Sequence, residues 1–174
     1  MKVSDVMTRD VGTCRPEDDL NRVAKVMWDR DCGVVPVVDL ADHVVGMITD
    51  RDACMAAYTK GAVLGAIRVG DAMAQQVFSC RTDDDVADAA ATMQRQRVRR
   101  LPVLDGDGRF VGIVSLNDLA RRSAKESTRG SDVLLREVGR TLATICKPWS
   151  ELADAQERGA AAEPKRALVT ARAR

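Results

Sequence analysis

Gly46-Met47-Ile48-Thr49-Asp50-Arg51-Asp52 and Gly112-Ile113-Val114-Ser115-Leu116-Asn117-Asp118 are the same phrase written twice, 66 residues apart. In each copy a glycine precedes two apolar residues, then a hydroxyl, and an aspartate follows the hydroxyl by three positions. Apolar residues before such a pair read as the end of a strand, and the hydroxyl and acid as the start of a helix. Extending the 66-residue shift outward aligns Val3–Cys54 with Val69–Ala120 without a gap, giving 16 identities in 52 aligned positions. Asp5 and Met7 meet Asp71 and Met73, Cys14-Arg15 meet Cys80-Arg81, and Pro36-Val37 meet Pro102-Val103. Identities that punctuate every expected element mark an internal duplication.

Each copy reads as a βαββα unit. A short strand near Val11–Thr13, or Val77–Ser79, precedes a helix whose apolar stripe is Leu20, Val23, Ala24 and Met27 in the first copy. Val86, Ala89, Ala90 and Met93 repeat that stripe in the second. The run Val34–Val38, a turn at Asp39–Asp42 and the run Val44–Ile48 form a hairpin. Asp105-Gly106-Asp107-Gly108 supplies the sharper turn in the second copy. Proline cannot donate to a ladder, so Pro36 and Pro102 place their strands at an edge or a bulge. A second helix starts at Thr49 or Ser115, and residues 55–68 link the copies. One such unit carries too few apolar residues to stand alone. The expected architecture is therefore α/β (α+β): two tandem units, residues 1–60 and 61–122, form one pseudo-two-fold module. Residues 123–174 make a C-terminal helical extension and flexible tail.

Composition narrows the function. The 174 residues carry 27 Lys and Arg against 26 Asp and Glu, a net charge of +1 that gives no global case for nucleic acid or an acidic membrane. From Arg121 onward there are 12 basic and 7 acidic side chains, but the basic tail lacks the interleaved aromatics of a nucleic-acid binder. No stretch approaches the ~20 apolar residues of a membrane span, and the N-terminal MKVSDVM lacks a signal region, so a cytoplasmic protein is expected. Cys14, Cys32, Cys54, Cys80 and Cys146 are odd in number and show no C-x-x-C spacing, which reads as buried reduced thiols. With His43 the only histidine, no metal site is expected. No His or Cys sits beside a base partner and no phosphate-binding glycine loop is present, which speaks against an enzyme.

Two readings of the repeated phrase remain open. Capping alone explains Thr49 with Asp52 and Ser115 with Asp118. The same geometry also suits a sugar phosphate: a helix N-terminus attracts anions, the hydroxyl can donate to phosphate, and the carboxylate can accept from ribose hydroxyls. Arg51 adds a forked cation. Arg99 and Arg100 are either phosphate ligands or exposed charges protecting a strand edge.

The order D-V-M, V-x-T/S-C, amphipathic helix, h-P-V-h-D and V-G-h-h-[T/S]-x-x-D resembles the CBS domain, with Val98–Leu119 the closer of the two copies. The resemblance covers residues 1–121. It implies a tandem pair, often dimerised as a disc, that binds AMP, ADP or ATP, or else S-adenosylmethionine or NAD, between the copies and acts in signal transduction. Carried over by position, it puts Asp52 and Asp118 on ribose and Thr49 and Ser115 on ribose or phosphate oxygen. Val35-Pro36 and Leu101-Pro102 fall at the adenine edge, and Thr13 and Ser79 line the same cleft. Arg51, Arg99 and Arg100 are the phosphate candidates, and Asn117 in place of Arg51 makes the two sites unequal.

Beyond Arg122, Leu134, Val138, Thr141, Leu142 and Ile145 fall on one helical stripe, with Asp132 as a cap, Pro148 as its end and Trp149 as an anchor. The function expected is a nucleotide-sensing regulatory module, a homodimer acting on an unidentified protein. The alternative is a structural or protein-interaction module with empty clefts.

Overall fold

The computed structural model describes residues 1–127 and 133–146. In repeat one, helix α1 (Leu20–Asp29) starts at Asp19, whose carboxylate accepts from the Arg22 amide at 2.9 Å, and buries Leu20, Val23 and Met27. Strands β1 (Val34–Val38) and β2 (Val44–Thr49) pair antiparallel with Val34 opposite Thr49. Helix α2 (Asp50–Lys60) follows and ends at Gly61, whose φ of 59° is the left-handed conformation a glycine adopts without strain. Repeat two runs through β3 (Cys80–Arg81), α3 (Val86–Gln96), β4 (Arg100–Leu104), β5 (Phe110–Ser115) and α4 (Leu116–Ser127). Arg100 lies opposite Ser115, so the two hairpins share one register under the 66-residue shift.

Several local expectations differ from what forms. Val11–Thr13 and Val77–Ser79 are not strands. Pairing begins one residue later, at Cys14 against Val37 and at Cys80 against Val103, both parallel. Residues 55–60, read as linker, complete α2. β4 is the middle strand of β3-β4-β5, so Pro102 is not on an edge. The chain accommodates the proline because β3 pairs only with Val103 and Leu104, and a register shift follows at Val103/Leu104, as at Val37/Val38 in repeat one. Both hairpin turns are led by an aspartate: Asp39 accepts from the amides of Ala41 and His43, and Asp105 from those of Asp107 and Arg109.

The repeats are joined by an exchange. The first turn of each copy, Val3–Asp5 or Val69–Asp71, docks on the other repeat. The Val3 amide donates to Asp84 O at 2.9 Å and Ser4 to Thr82 O at 3.0 Å; in mirror fashion Val69 donates to Asp18 O at 2.8 Å and Gly70 to Pro16 O at 2.9 Å. Thr8 then trades backbone bonds with Ile113, and Ala74 with Met47. Val3 is fully buried among Val86, Met93, Leu101 and Leu119 of repeat two, and Ile67 and Val69 among Leu20, Val23 and Ile48 of repeat one. Burying a valine stabilises by about 1.5–3 kcal/mol, so neither core is complete without the other repeat's strap.

Helix α5 (Val133–Ile145) packs over α3 and α4, burying Val138 and Thr141. Gln94 Nε2 donates to Thr144 Oγ1 at 3.1 Å and Arg97 to Ile145 O at 3.3 Å. Leu142, expected on the buried stripe, is exposed. No helix among the described residues packs over α1 and α2 of repeat one in this way, where the turn Leu64–Ala66 lies against α1; Trp28 is 88% exposed and Tyr58 79%. Asp132, Pro148, Trp149 and residues 150–174 lie outside the described residues. No helix among the described residues is long and apolar enough to cross a membrane.

Candidate functional site

The repeated phrase builds two matched helix starts. At α2, Thr49 Oγ1 accepts from the Asp52 amide at 3.1 Å while Asp52 Oδ2 accepts from the Thr49 amide at 3.0 Å and from its hydroxyl at 2.7 Å. At α4, Ser115 Oγ accepts from the Asp118 amide at 3.3 Å. Asp118 Oδ2 accepts from the Ser115 amide at 2.8 Å and its hydroxyl at 2.5 Å. In both, capping occupies one carboxylate oxygen and leaves Oδ1 outside the cap. Capping and ligand binding are therefore compatible uses of one side chain.

The Oδ1 atoms differ. That of Asp118 accepts from Thr8 Oγ1 at 3.5 Å and from Arg121 Nη2. That of Asp52 accepts from no described residue. Thr8 arrives through its backbone pairing with Ile113; its counterpart by the 66-residue shift is Ala74, and that of Arg121 is Met55.

A hollow of about 290 Å³ opens between the repeats. Repeat two contributes Ile113, Ser115, Asn117 and Asp118 at the start of α4, with Arg100 and Arg121 as cations. Repeat one contributes Val11-Gly12 and the Arg30–Val34 turn, and the Thr8 strap completes the lining. Arg30 pairs with Asp10 at 2.8 Å, and that hydrogen-bonded carboxylate holds the guanidinium above its ordinary pKa, so Arg30 is already matched. A second hollow of about 240 Å³ adjoins, lined by Asp5, Val6, Arg122 and again Thr8, Asp118 and Arg121.

Of the residues the sequence singled out, Arg100, Ser115, Asn117 and Asp118 line the larger hollow together. Thr49, Arg51 and Asp52 gather at the start of α2, and Thr13, Val35, Pro36, Ser79, Arg99, Leu101 and Pro102 do not line this hollow. Val35, Pro36, Leu101 and Pro102 are buried within their strands, where the Pro36 and Pro102 carbonyls face the Cys14 and Cys80 thiols at 3.8 and 3.9 Å. Burial, with Asp18 and Asp84 adding to it, pushes those two thiols up to about 12, which removes them as nucleophiles at neutral pH. Cys54 and Cys146, expected to be buried, are exposed. Sequence reasoning missed Thr8 and Arg121. The repeat alignment stops at Ala120, and its departures from symmetry, Thr8 against Ala74 and Arg121 against Met55, were the available signal.

The CBS domain profile matches residues 3–58 and 69–125. The CBS domain-containing protein YhcV of Bacillus subtilis is 33% identical over 129 residues, covering 74% of this chain and 90% of that protein. An inosine-5'-monophosphate dehydrogenase of Methanocaldococcus jannaschii is 34% identical over 121 residues, 70% of this chain, but the match spans only 23% of that enzyme. Among solved structures, CBSX2, determined in complex with AMP, superposes with a TM-score of 0.62 at 24% identity, covering 72% of this chain and 98% of that one. Two profile matches, on the two halves that exchange their first turns, show that the chain belongs to the CBS domain family, as a tandem pair.

Proposed function

We propose that this CBS pair is a regulatory module taking one adenosine-type nucleotide, of the AMP, ADP or ATP class, in the hollow between its repeats. The observation that carries the reading is Asp118, a buried carboxylate that lines the hollow and is held by its cap through one oxygen only, Oδ1 being outside the cap. That oxygen would accept from a ribose diol. Val11, Val34 and Ile113 supply apolar walls for a planar base, and Ser115, the α4 N-terminus and Arg100 supply partners for phosphate. A volume of about 290 Å³ is at the small end of ligand sites, which favours a mononucleotide over NAD. That CBSX2, a protein of this fold, was solved with AMP supports the adenosine class, within which S-adenosylmethionine is the competing ligand.

A ligand touching both repeats favours one angle between them, and a partner protein that senses the angle is switched. Thermal denaturation tests the reading. At a hundredfold excess over Kd, AMP should stabilise the protein by about 2.7 kcal/mol. Asp118→Asn, which keeps a capping oxygen, should abolish the shift, while Asp52→Asn should retain it. No shift with any adenosine nucleotide would leave the pair as an interaction module. We also propose a homodimer through the α1–α2 face, because α5 covers the equivalent face of repeat two and a second copy offers repeat one the same apolar surface in return. Trp28→Ser should then lower the mass measured by light scattering to that of a monomer.

A further inference from the structure

Arg121 stands one helical turn beyond Asp118 and donates to its Oδ1, the oxygen the cap leaves over. The two partners differ sharply in exposure: the Asp118 side chain is 5% exposed and that of Arg121 71%. The buried carboxylate is held by its cap while the guanidinium is largely solvated. Arg121 and Thr8 also line both hollows, so the guanidinium lies where the larger one meets the smaller. Repeat one has nothing comparable, with Met55 and Ala74 at the matching positions.

Resting on the nucleotide reading above, we propose that Arg121 is a latch that makes the cleft select phosphorylated over unphosphorylated nucleosides. With the cleft empty, Arg121 closes Asp118. A ribose diol that takes Asp118 Oδ1 displaces the guanidinium, which then needs another anion. A phosphate in the same hollow supplies one, so a nucleotide exchanges one charge-assisted hydrogen bond for another. A neutral nucleoside offers no anion, and its diol must break the Asp118–Arg121 pair without replacement. Arg121 thus opposes adenosine and leaves AMP nearly unaffected, a selectivity that a merely structural role does not produce.

The test uses the full chain, wild type and Arg121→Met, which installs the repeat-one residue and keeps an apolar stem on an exposed site. Calorimetric titrations with AMP and with adenosine are run at low and moderate salt. The expected result is about a tenfold gain in adenosine affinity in the variant, the scale of one hydrogen bond to a charged group. AMP should change by much less, because the variant removes both the pair it must break and the phosphate contact it gains, and the salt dependence of AMP binding should shrink. A change of equal size in both ligands, or no gain for adenosine, overturns the latch while leaving the nucleotide reading intact. Failure of wild type to bind either ligand removes that reading and the latch with it. Thr8→Ala serves as a second variant: it deletes the other donor to Oδ1 without touching charge and should shift both ligands alike.

Discussion

Repeat one and repeat two are built from the same local instructions and end in different places. Their caps, hairpin register, aspartate-led turns, buried cysteines and exchanged straps superpose under a single 66-residue shift. They part where a third element intervenes. The Asp118 carboxylate meets a threonine from the strap and an arginine from the next helical turn, whereas Asp52 meets neither, and α5 covers one helix pair and not the other. A duplicated fold thus repeats what backbone geometry demands and diverges where side chains arrive from elsewhere.

The two repeats should differ most at their matched glycines. A Cβ on Gly112 would sit 2.5 Å from the Thr8 carbonyl oxygen, which the strap's backbone bonds hold in place. On Gly46 it would first meet Met73 Sδ, the end of a flexible side chain. Gly112→Ala should therefore cost about 3 kcal/mol and Gly46→Ala about 1 kcal/mol by denaturant titration. Equal costs would mean the straps are equally tight. Next come the straps: Val3→Ala and Val69→Ala should each cost about 2 kcal/mol. Hydrogen exchange should show the loss in the opposite repeat, in α3 for Val3 and in α1 for Val69. Loss confined to the mutated copy would refute the exchange.

A smaller effect separates the covered and bare helix pairs. Val138→Ala should cost about 1 kcal/mol because α5 packs there, while Trp28→Ser should leave monomer stability within about 0.5 kcal/mol. The smallest concerns the turns. Asp42 holds φ at 62° where Gly108 holds 80°, and Asp42→Gly should raise the melting temperature by about a degree as left-handed strain is relieved.

The local half of this molecule was legible because each signal lies within a few residues. Ser115 and Asp118 announce a cap by their spacing, Leu20, Val23 and Met27 announce a buried face, and the 66-residue shift announces the pair. The nonlocal half was not. Nothing near Val3 says that it belongs to the core of repeat two, so the place of Thr8 beside Asp118 was hidden. Gly33 and Val34 line the hollow at the face turned to the opposite repeat, and a residue-by-residue carry-over favoured Val35, which is fully buried in the core of repeat one. The strands near Val11 and Val77 failed because the chain leaves the other repeat's hairpin after Thr8 and Ala74 and pairs with its own only from Cys14 and Cys80.

The crossed straps have a consequence for cutting the chain. A protease nick between Gly61 and Gly65 would not release two independent pieces, since each fragment would still hold the turn that fills its neighbour's interior. A half-length polypeptide would be left with an unfilled socket and a dangling plug. It could settle only by lending its plug to a twin and accepting the twin's in return, so one repeat alone encodes a reciprocal clasp.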